Sequence, residues 1–407
     1  MKISKYIVEV CDNDKFVLYN TANSGTVRVD RELYNKVKCG SIEAFNEAEL
    51  NFLYDSGIMV DDDYDDKIIA DIEKVVLNNG VHLTFITTDD CNFRCPYCYE
   101  NHNKTYIDYG VYDNILKFLN NTDKDYLSVS WFGGEPTLKM EKIVYFMNKV
   151  HSLNKFKSIS ASITTNGFLL NEKNFSTLIN CGVKSFQVTI DGIKEEHDKY
   201  RHLKNGNGTF DTIINNLKNI KNTEYDYEFV IRNNYNEDSD LVRYVDYIYS
   251  IIGEDKRFKL FFASTGNWSS TGDELPGGCG NSNLRKALTR ARELNIDMLD
   301  VVTTPQTSFC CANFENSYVV NHKGDFLKCT VKLDWDKNIV GHIENDGKVV
   351  FNKNREMWRT IPDLQKCSEC NVRPVCMSRY CPHNDYKKCR EYKQEKVRGF
   401  LRRKYCW

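Results

Sequence analysis

Cys91-Asn-Phe-Arg-Cys95-Pro-Tyr-Cys98-Tyr99 is the stretch on which the reading of this chain turns. It directly follows a strand-like run, His82 to Thr88. Thiolates separated by three and then two residues on one tight loop can each reach a different iron of a cubane, leaving the fourth iron without a protein ligand. An open iron is a place for chemistry, whereas a structural zinc or a purely electron-carrying cluster takes a fourth protein ligand. A three-thiolate zinc site is the plainer alternative, but no fourth ligand stands nearby.

Outward from the loop, residues 82 to 263 alternate between two patterns. Strand-like runs occur at His82 to Thr88, Tyr126 to Phe132, Ser158 to Thr164, Lys184 to Ile190, Tyr227 to Arg232 and Arg257 to Phe262. Amphipathic helix patterns fall between them, among them Val111 to Asn120, Lys139 to Leu153, Asn171 to Asn180 and Phe210 to Asn222. Six such repeats imply an α/β fold with a parallel sheet and crossover helices, left open or curved into a partial barrel. Function in such folds sits at the carboxyl ends of the strands.

Before the repeats, strands at Tyr6 to Val10, Phe16 to Tyr19 and Thr26 to Val29 precede helices at Arg31 to Lys38 and Glu43 to Ser56, which fits a small winged-helix-like module. The acidic run Asp61 to Asp66 reads as a solvated connector. After the repeats, Ser264 to Asn283 reads as an irregular bridge, and Ser317 to Asn321 with Asp325 to Cys329 as a hairpin around Lys323-Gly324. The expected division is 1–80, 81–265, a bridge 266–305 and a cysteine-rich end 306–407.

The 407 residues suffice for two or three domains, and 55 basic against 57 acidic side chains give no field that would draw nucleic acid or a membrane. Charges interrupt the first residues where a signal peptide needs its apolar run, and no stretch approaches a membrane span, so a cytoplasmic protein is expected. Sixteen cysteines in such a chain point to metal or cluster ligation rather than disulfides. Cys11, Cys39 and Cys181 stand apart and read as small buried hydrophobes, and Cys406 has no assigned partner.

The Cys91 loop, including Tyr97 before its last cysteine, resembles the signature of radical S-adenosylmethionine (SAM) enzymes. That resemblance implies a [4Fe-4S] cluster on Cys91, Cys95 and Cys98, with SAM chelating the open iron and cleaved to a 5'-deoxyadenosyl radical. Gly133-Gly134-Glu135-Pro136 resembles the family's motif for the SAM amino group, Asn166 ends the third strand, and Thr189 and Arg201 match contacts to the SAM carboxylate. Leu260 on the sixth strand matches an adenine contact by the same likeness. Taken singly, the glycine motif reads as a turn, Arg201 as surface and Leu260 as core.

The cysteine-rich end resembles a SPASM extension, which implies two auxiliary [4Fe-4S] clusters and three clusters in all. The ligands implied are Cys310, Cys329 and Cys381 for one, with Cys311, Cys279 or an open site as its fourth, and Cys367, Cys370, Cys376 and Cys389 for the other. Four residues separate Cys376 from Cys381 where the family usually has three. The resemblance implies a precursor-peptide substrate and a low-potential donor such as flavodoxin or ferredoxin. It covers ribosomal-peptide maturases, which form thioether or carbon-carbon crosslinks, and anaerobic sulfatase-maturating enzymes, which make formylglycine. The latter carry an aspartate directly after the cysteine matching Cys329, where Thr330 stands here. A zinc-binding interaction protein is the non-enzyme alternative. The sequence selects no general base.

Overall fold

The computed structural model describes residues 1–77, 80–265, 282–299, 310–359, 364–376, 381–382 and 389–405. Strands come first: β1 (Lys2–Ile3), β2 (Ile7–Asp12), β3 (Lys15–Asn20) and β4 (Thr26–Val29), of which β2, β3 and β4 form an antiparallel sheet. Phe16, Leu18, Val27 and Val29 turn one face of it toward Val37 of α1 (Arg31–Cys39) and Leu53 of α2 (Glu47–Asp55). α2 starts where Asn46 closes a capping box with Glu49, each accepting from the other's backbone N–H at 2.9 Å. β5 (Met59–Val60) returns to pair with β1.

The acidic connector expected at Asp61 to Asp66 is instead the start of a helix, α3 (Tyr64–Leu77). Asp65 is buried and accepts from Ser4 Oγ at 2.7 Å and Lys5 N at 3.1 Å. Carboxylates in a first turn are favoured by the positive end of the helix dipole, so the same charges that suggest solvent also start a helix.

The six repeats form as read. β6 (Gly80–Thr88), β7 (Tyr126–Gly133), β8 (Ser158–Thr165), β9 (Val183–Thr189), β10 (Glu228–Tyr235) and β11 (Phe258–Ser264) lie side by side in chain order, all parallel. Between them run α4 (Tyr109–Asn121), α5 (Met140–Ser152), α6 (Glu172–Asn180), α7 (Lys194–Tyr200), α8 (Phe210–Lys221) and α9 (Leu241–Ile252), giving an open, partial (β/α)6 barrel. α10 (Ser282–Glu293) and β12 (Asp297–Met298) extend one edge from within the expected bridge. At the other edge β13 (Ser317–Val320) pairs parallel with β6, followed by β14 (Asp325–Leu327), β15 (Ile339–Ile343) and β16 (Val349–Phe351) in antiparallel order.

Helices cover one face of the sheet. Phe85, Tyr112, Trp131 and Phe146 stack there, as do Phe175, Phe186, Phe229 and Phe258, and Phe262 meets Tyr244 of α9 at 6.2 Å. Strand residues alternate between faces, so Ser130, Ser162, Gln187, Thr189, Arg232 and Phe261 share the other side. Ser130 and Ser162 are hydrogen-bonded across it at 2.9 Å. A parallel sheet buried on both faces reads as continuous apolar runs; this polar inner face is reserved for something other than core.

The remainder forms α11 (Asn354–Arg359), α12 (Leu364–Ser368), α13 (Arg373–Cys376) and α14 (Cys389–Tyr405). The chain divides into two compact units, one of Met1–Asn78, Asp300–Glu315 and Glu356–Trp407, the other of Asn79–Leu299 and Asn316–Arg355. Residues 316–355, grouped by sequence with the cysteine-rich end, thus go with the barrel, because β13 extends its sheet. In the first unit Val8, Val10, Val17 and Tyr19 share one core with Cys370, Val372, Val397, Phe400 and Leu401. Asn371 Nδ2 donates to Ile7 O at 2.8 Å, and Thr21 Oγ1 to Asn371 O at 2.6 Å. Among the described residues no helix is long and apolar enough to cross a membrane.

Candidate active site

β6 delivers the three cysteines to the carboxyl edge of the sheet, where the chain itself builds their loop. Asp90 Oδ1 accepts from Cys91 N at 2.8 Å and Lys204 Nζ at 2.7 Å, while Arg94 Nη1 donates to Cys91 O at 2.8 Å and Phe93 O at 2.6 Å. Arg94 N donates to His202 O at 3.0 Å, and Lys204 N to Asn92 O at 3.1 Å, so residues 202–204 clamp the loop from outside. Phe93 is buried edge-on to Phe168. Cys98 N donates to Cys95 O at 3.0 Å, closing a turn that brings the last two cysteines together.

Cys91 is buried, Cys95 and Cys98 partly so. Burial pushes the Cys91 thiol up to about 12 and the Cys98 thiol up to about 11, a penalty that a bound metal cation relieves by stabilising thiolate. Among the described residues no three His, Cys, Asp or Glu side chains converge on the position of one ion. A cubane asks the opposite, that each thiolate reach a different iron.

Gly133 and Gly134 let the end of β7 touch this loop. Gly133 adopts φ 116°, and a Cβ at Gly134 would stand 2.3 Å from Asp90 O. Gly134 N donates to Thr88 O and Glu135 N to Asp90 O, both at 2.9 Å. Glu135 is fully buried; its carboxylate accepts from Thr137 N at 3.0 Å, Thr165 Oγ1 at 2.6 Å, Asn166 N at 2.7 Å and the Thr137 hydroxyl. It is therefore a strut between the loops after β7 and β8 as well as a candidate ligand contact. Asn166 Nδ2 donates to Asn92 Oδ1 at 2.7 Å and lies 3.8 Å from Cys91 Sγ.

The opposite wall is charged. Arg201 Nη1 donates to the Tyr97 hydroxyl at 2.8 Å, that hydroxyl donates to Asp191 Oδ2, and Arg201 lies 3.7 Å from the same carboxylate. Asp191 and Arg201 are buried and Tyr97 is half-buried, yet Arg201 Nε has no hydrogen-bond partner among the described residues. An orphaned buried guanidinium N–H demands an acceptor, and a ligand carboxylate is the fitting one.

His197, absent from the sequence reading, sets this wall. The Asp191 backbone N–H donates to His197 Nδ1 at 3.1 Å, which fixes the ring as the neutral Nε2–H tautomer. Nε2 then donates to Thr209 Oγ1 at 3.1 Å, and Thr209 Oγ1 to Arg201 O at 2.5 Å. Burial and the Arg201 charge hold the imidazole well below its usual pKa. The spacing of His197 and Arg201, one helical turn apart after Asp191, was the available signal.

Thr189 is buried at the end of β9, in register with Arg232. Leu260 shares the outer face with Phe258 and Phe262, so its side chain is core; the residue β11 presents inward beside it is Phe261. Glu100, also missed, has a carboxylate oxygen without a partner among the described residues. Burial first, then Asp89 and Asp334, push it up to about 8. Asn101 Nδ2 lies 3.0 Å from both oxygens of Asp334.

Of the other cysteines, Cys370 N donates to Cys367 O at 3.1 Å and Cys376 N to Val372 O at 3.2 Å, a compact pair of turns. Cys310 and Cys311 are adjacent and exposed, as is Cys381, and Cys389 opens α14. Cys329 belongs to the other unit, its N–H donating to Asn338 Oδ1 at 2.8 Å. Cys279, Cys406 and the Cys389 side chain lie outside the described residues.

Residues 85–244 match the Radical SAM superfamily, so this stretch of the chain is a radical SAM domain. A radical SAM domain implies an enzyme with SAM and a [4Fe-4S] cluster, which counts against the zinc-binding non-enzyme alternative. The chain is 25% identical to the cysteine-type anaerobic sulfatase-maturating enzyme of Clostridium novyi over 325 residues, 72% of this chain and 85% of that one. Native anSMEcpe with bound AdoMet and Cp18Cys peptide shares the fold at TM-score 0.60 and 18% identity, over 80% of this chain and 96% of that one. SuiB of Streptococcus suis bound to precursor peptide SuiA does so at TM-score 0.52 and 15% identity, over 92% and 94%. Other curated relatives are matched over less than two thirds of their own length.

Proposed function

We propose that this enzyme modifies a ribosomally made peptide, installing a thioether or carbon-carbon crosslink. The observation that carries its chemistry is the meeting, at one strand edge, of one buried and two half-buried thiols with a buried guanidinium, one of whose nitrogens has no partner among the described residues. Cys91, Cys95 and Cys98 would hold the cluster, and Arg201 with Thr189 the SAM carboxylate. The backbone at Gly133-Gly134 would take the amino group, and Tyr97 with the β11 edge near Leu260 would flank the rest. SAM held there would supply the radical chemistry for hydrogen abstraction from a substrate carbon. The chain's own part is orientation and exclusion of water: Phe93, Phe168 and the Glu135 strut seal the back of the site.

A peptide substrate is supported by the relatives, two of whose structures hold peptides. β4 ends the three-stranded sheet of residues 1–77, an edge onto which an extended leader segment can add as a strand. In the cysteine-rich end, two auxiliary [4Fe-4S] clusters would use Cys310, Cys329 and Cys381, with Cys311 or Cys279 or an open corner, and Cys367, Cys370, Cys376 and Cys389. Reducing equivalents would come from flavodoxin or ferredoxin.

Formylglycine formation is the second reading, favoured by the 325-residue similarity to a sulfatase-maturating enzyme and by one contact. Thr330 replaces the expected aspartate, but Asp334 is held at the cluster loop by Asn101. Mass spectrometry of a peptide co-expressed anaerobically from a short cysteine-rich neighbouring reading frame separates the two. A crosslink costs two hydrogens and keeps the sulfur, whereas cysteine converted to formylglycine loses its sulfur. An unaltered peptide would count against both.

A further inference from the structure

Arg232 has no part in the radical site as described, and its placement is unusual. It lies near the carboxyl end of β10, in register with Thr189 and Phe261, and so on the polar inner face of the sheet. Its guanidinium lies over the Phe261 ring at 5.3 Å, and its Nε donates to Asn234 Oδ1 at 2.8 Å. Among the described residues it makes no other side-chain hydrogen bond and has no carboxylate within ion-pair distance. Asp191, whose charge Arg232 feels, is already engaged by Tyr97, Arg201 and the backbone N–H of Asn234.

Arg232 thus brings to the inner face a cation with no paired acid among the described residues. Lys259 and Glu228 pair with each other lower on the sheet. Arg201 shares Asp191, and Arg232 is left over. Burial pulls its pKa down against the attraction of Asp191, the direction expected of a cation lacking its counter-ion. A planar guanidinium stacked on an aromatic ring and held by one nitrogen keeps its two terminal nitrogens in a fixed fork, the geometry that takes a carboxylate by two parallel hydrogen bonds. A cavity of about 180 Å³ beside Asn234 is lined by the acids Asp191, Glu195, Glu196 and Asp238 against one cation, Lys199, and so disfavours an anion. The inner face at Arg232 is the place for one.

We infer that Arg232 is a substrate-binding residue that takes a carboxylate of the peptide, an Asp or Glu side chain near the residue to be modified. The inference rests on the peptide-modifying reading and adds to it a sequence preference. Guanidinium capture would orient the peptide across the inner face, with the reacting carbon facing the strand edge that bears the cysteine loop.

Two capped dipeptides, acetyl-Ala-Asp-amide and acetyl-Ala-Asn-amide, serve as probes in calorimetric titration of the anaerobically reconstituted, SAM-loaded enzyme. The aspartate probe is expected to bind at least fivefold more tightly. That ratio should fall to about one in Arg232→Gln and stay intermediate in Arg232→Lys, which keeps the charge but not the fork. Equal binding of the two probes to the unaltered enzyme, no measurable binding of the aspartate probe, or a ratio that survives Arg232→Gln would each overturn the inference. So would a loss of SAM affinity in Arg232→Gln larger than the loss of probe preference, which would assign the guanidinium to the cofactor. An enzyme that modifies its peptide yet treats the probes alike loses this inference only; one that modifies no peptide loses the reading beneath it.

Discussion

Arg201 donates to the hydroxyl of Tyr97 at 2.8 Å, joining the cluster loop to a side chain 104 residues later in the chain. This bond orients the guanidinium whose Nε has no partner among the described residues. Tyr97→Phe keeps the ring and removes the anchor. One hydrogen bond to a charged group contributes about 1.5–3 kcal/mol, part of which water recovers, so SAM affinity should fall roughly tenfold. Equilibrium binding of SAM to the reconstituted protein measures it; unchanged affinity would detach Arg201 from the SAM carboxylate.

His197 gives a pH signature. Its folded-state pKa lies well below its ordinary 6.5, so as pH falls below about 6.5 the unfolded chain binds a proton that the folded one refuses. Its contribution to stability is thus present above that pH and is lost on acidification, by about 1.4 kcal/mol per unit. Glu100, raised to about 8, acts in the opposite sense, stabilising less as pH rises from its unfolded value. The comparison must therefore be wild type against His197→Gln. The difference in denaturation free energy should shrink from pH 7 to pH 5.5; a constant difference would mean that the ring is not held neutral.

Gly134→Ala places a Cβ 2.3 Å from Asp90 O, so the cluster loop must move. Iron content after reconstitution should fall by about one cluster, four irons, with far-ultraviolet circular dichroism unchanged. Full loading would show that the loop tolerates the shift.

Because Val8, Val10 and Tyr19 share a core with Cys370, Phe400 and Leu401, removing residues 1–77 does more than delete a module. The truncated chain should lose iron from the cysteine-rich end while keeping the cluster of Cys91, Cys95 and Cys98. Phe400→Ala, a cavity costing about 3–5 kcal/mol, should weaken the same unit. Peptide recognition by β4 is better tested by hydrogen exchange, where the amides of Thr26–Val29 should slow on binding a precursor peptide.

The six strands and the cysteine loop were legible because parallel strands between amphipathic helices, and three thiols at fixed spacing, are local patterns. α3 was not, since its acidic first turn looks like solvent until Ser4 and Lys5 fold back onto Asp65. α14 was not, since among the described side chains of this charge-rich helix only Val397, Phe400 and Leu401 are buried, and against a sheet more than 370 residues earlier. In the wall of Tyr97, Asp191, His197 and Arg201 only the one-turn spacing of His197 and Arg201 is local, whereas Tyr97 meets Asp191 and Arg201 across 94 and 104 residues. That the Leu260 side chain is core was not legible, because alternation along β11 is assigned to faces only once the helix-covered face is known.

Three thiolates holding a cubane with one free iron are the basis of the whole account. Electron paramagnetic resonance of the dithionite-reduced protein, with and without SAM and with 5'-deoxyadenosine quantified in parallel, tests it most directly. The account predicts a [4Fe-4S]⁺ signal that shifts when SAM is added, nucleoside product in the unaltered enzyme, and neither in Cys95→Ala. A signal indifferent to SAM, or product formed without Cys95, would contradict it.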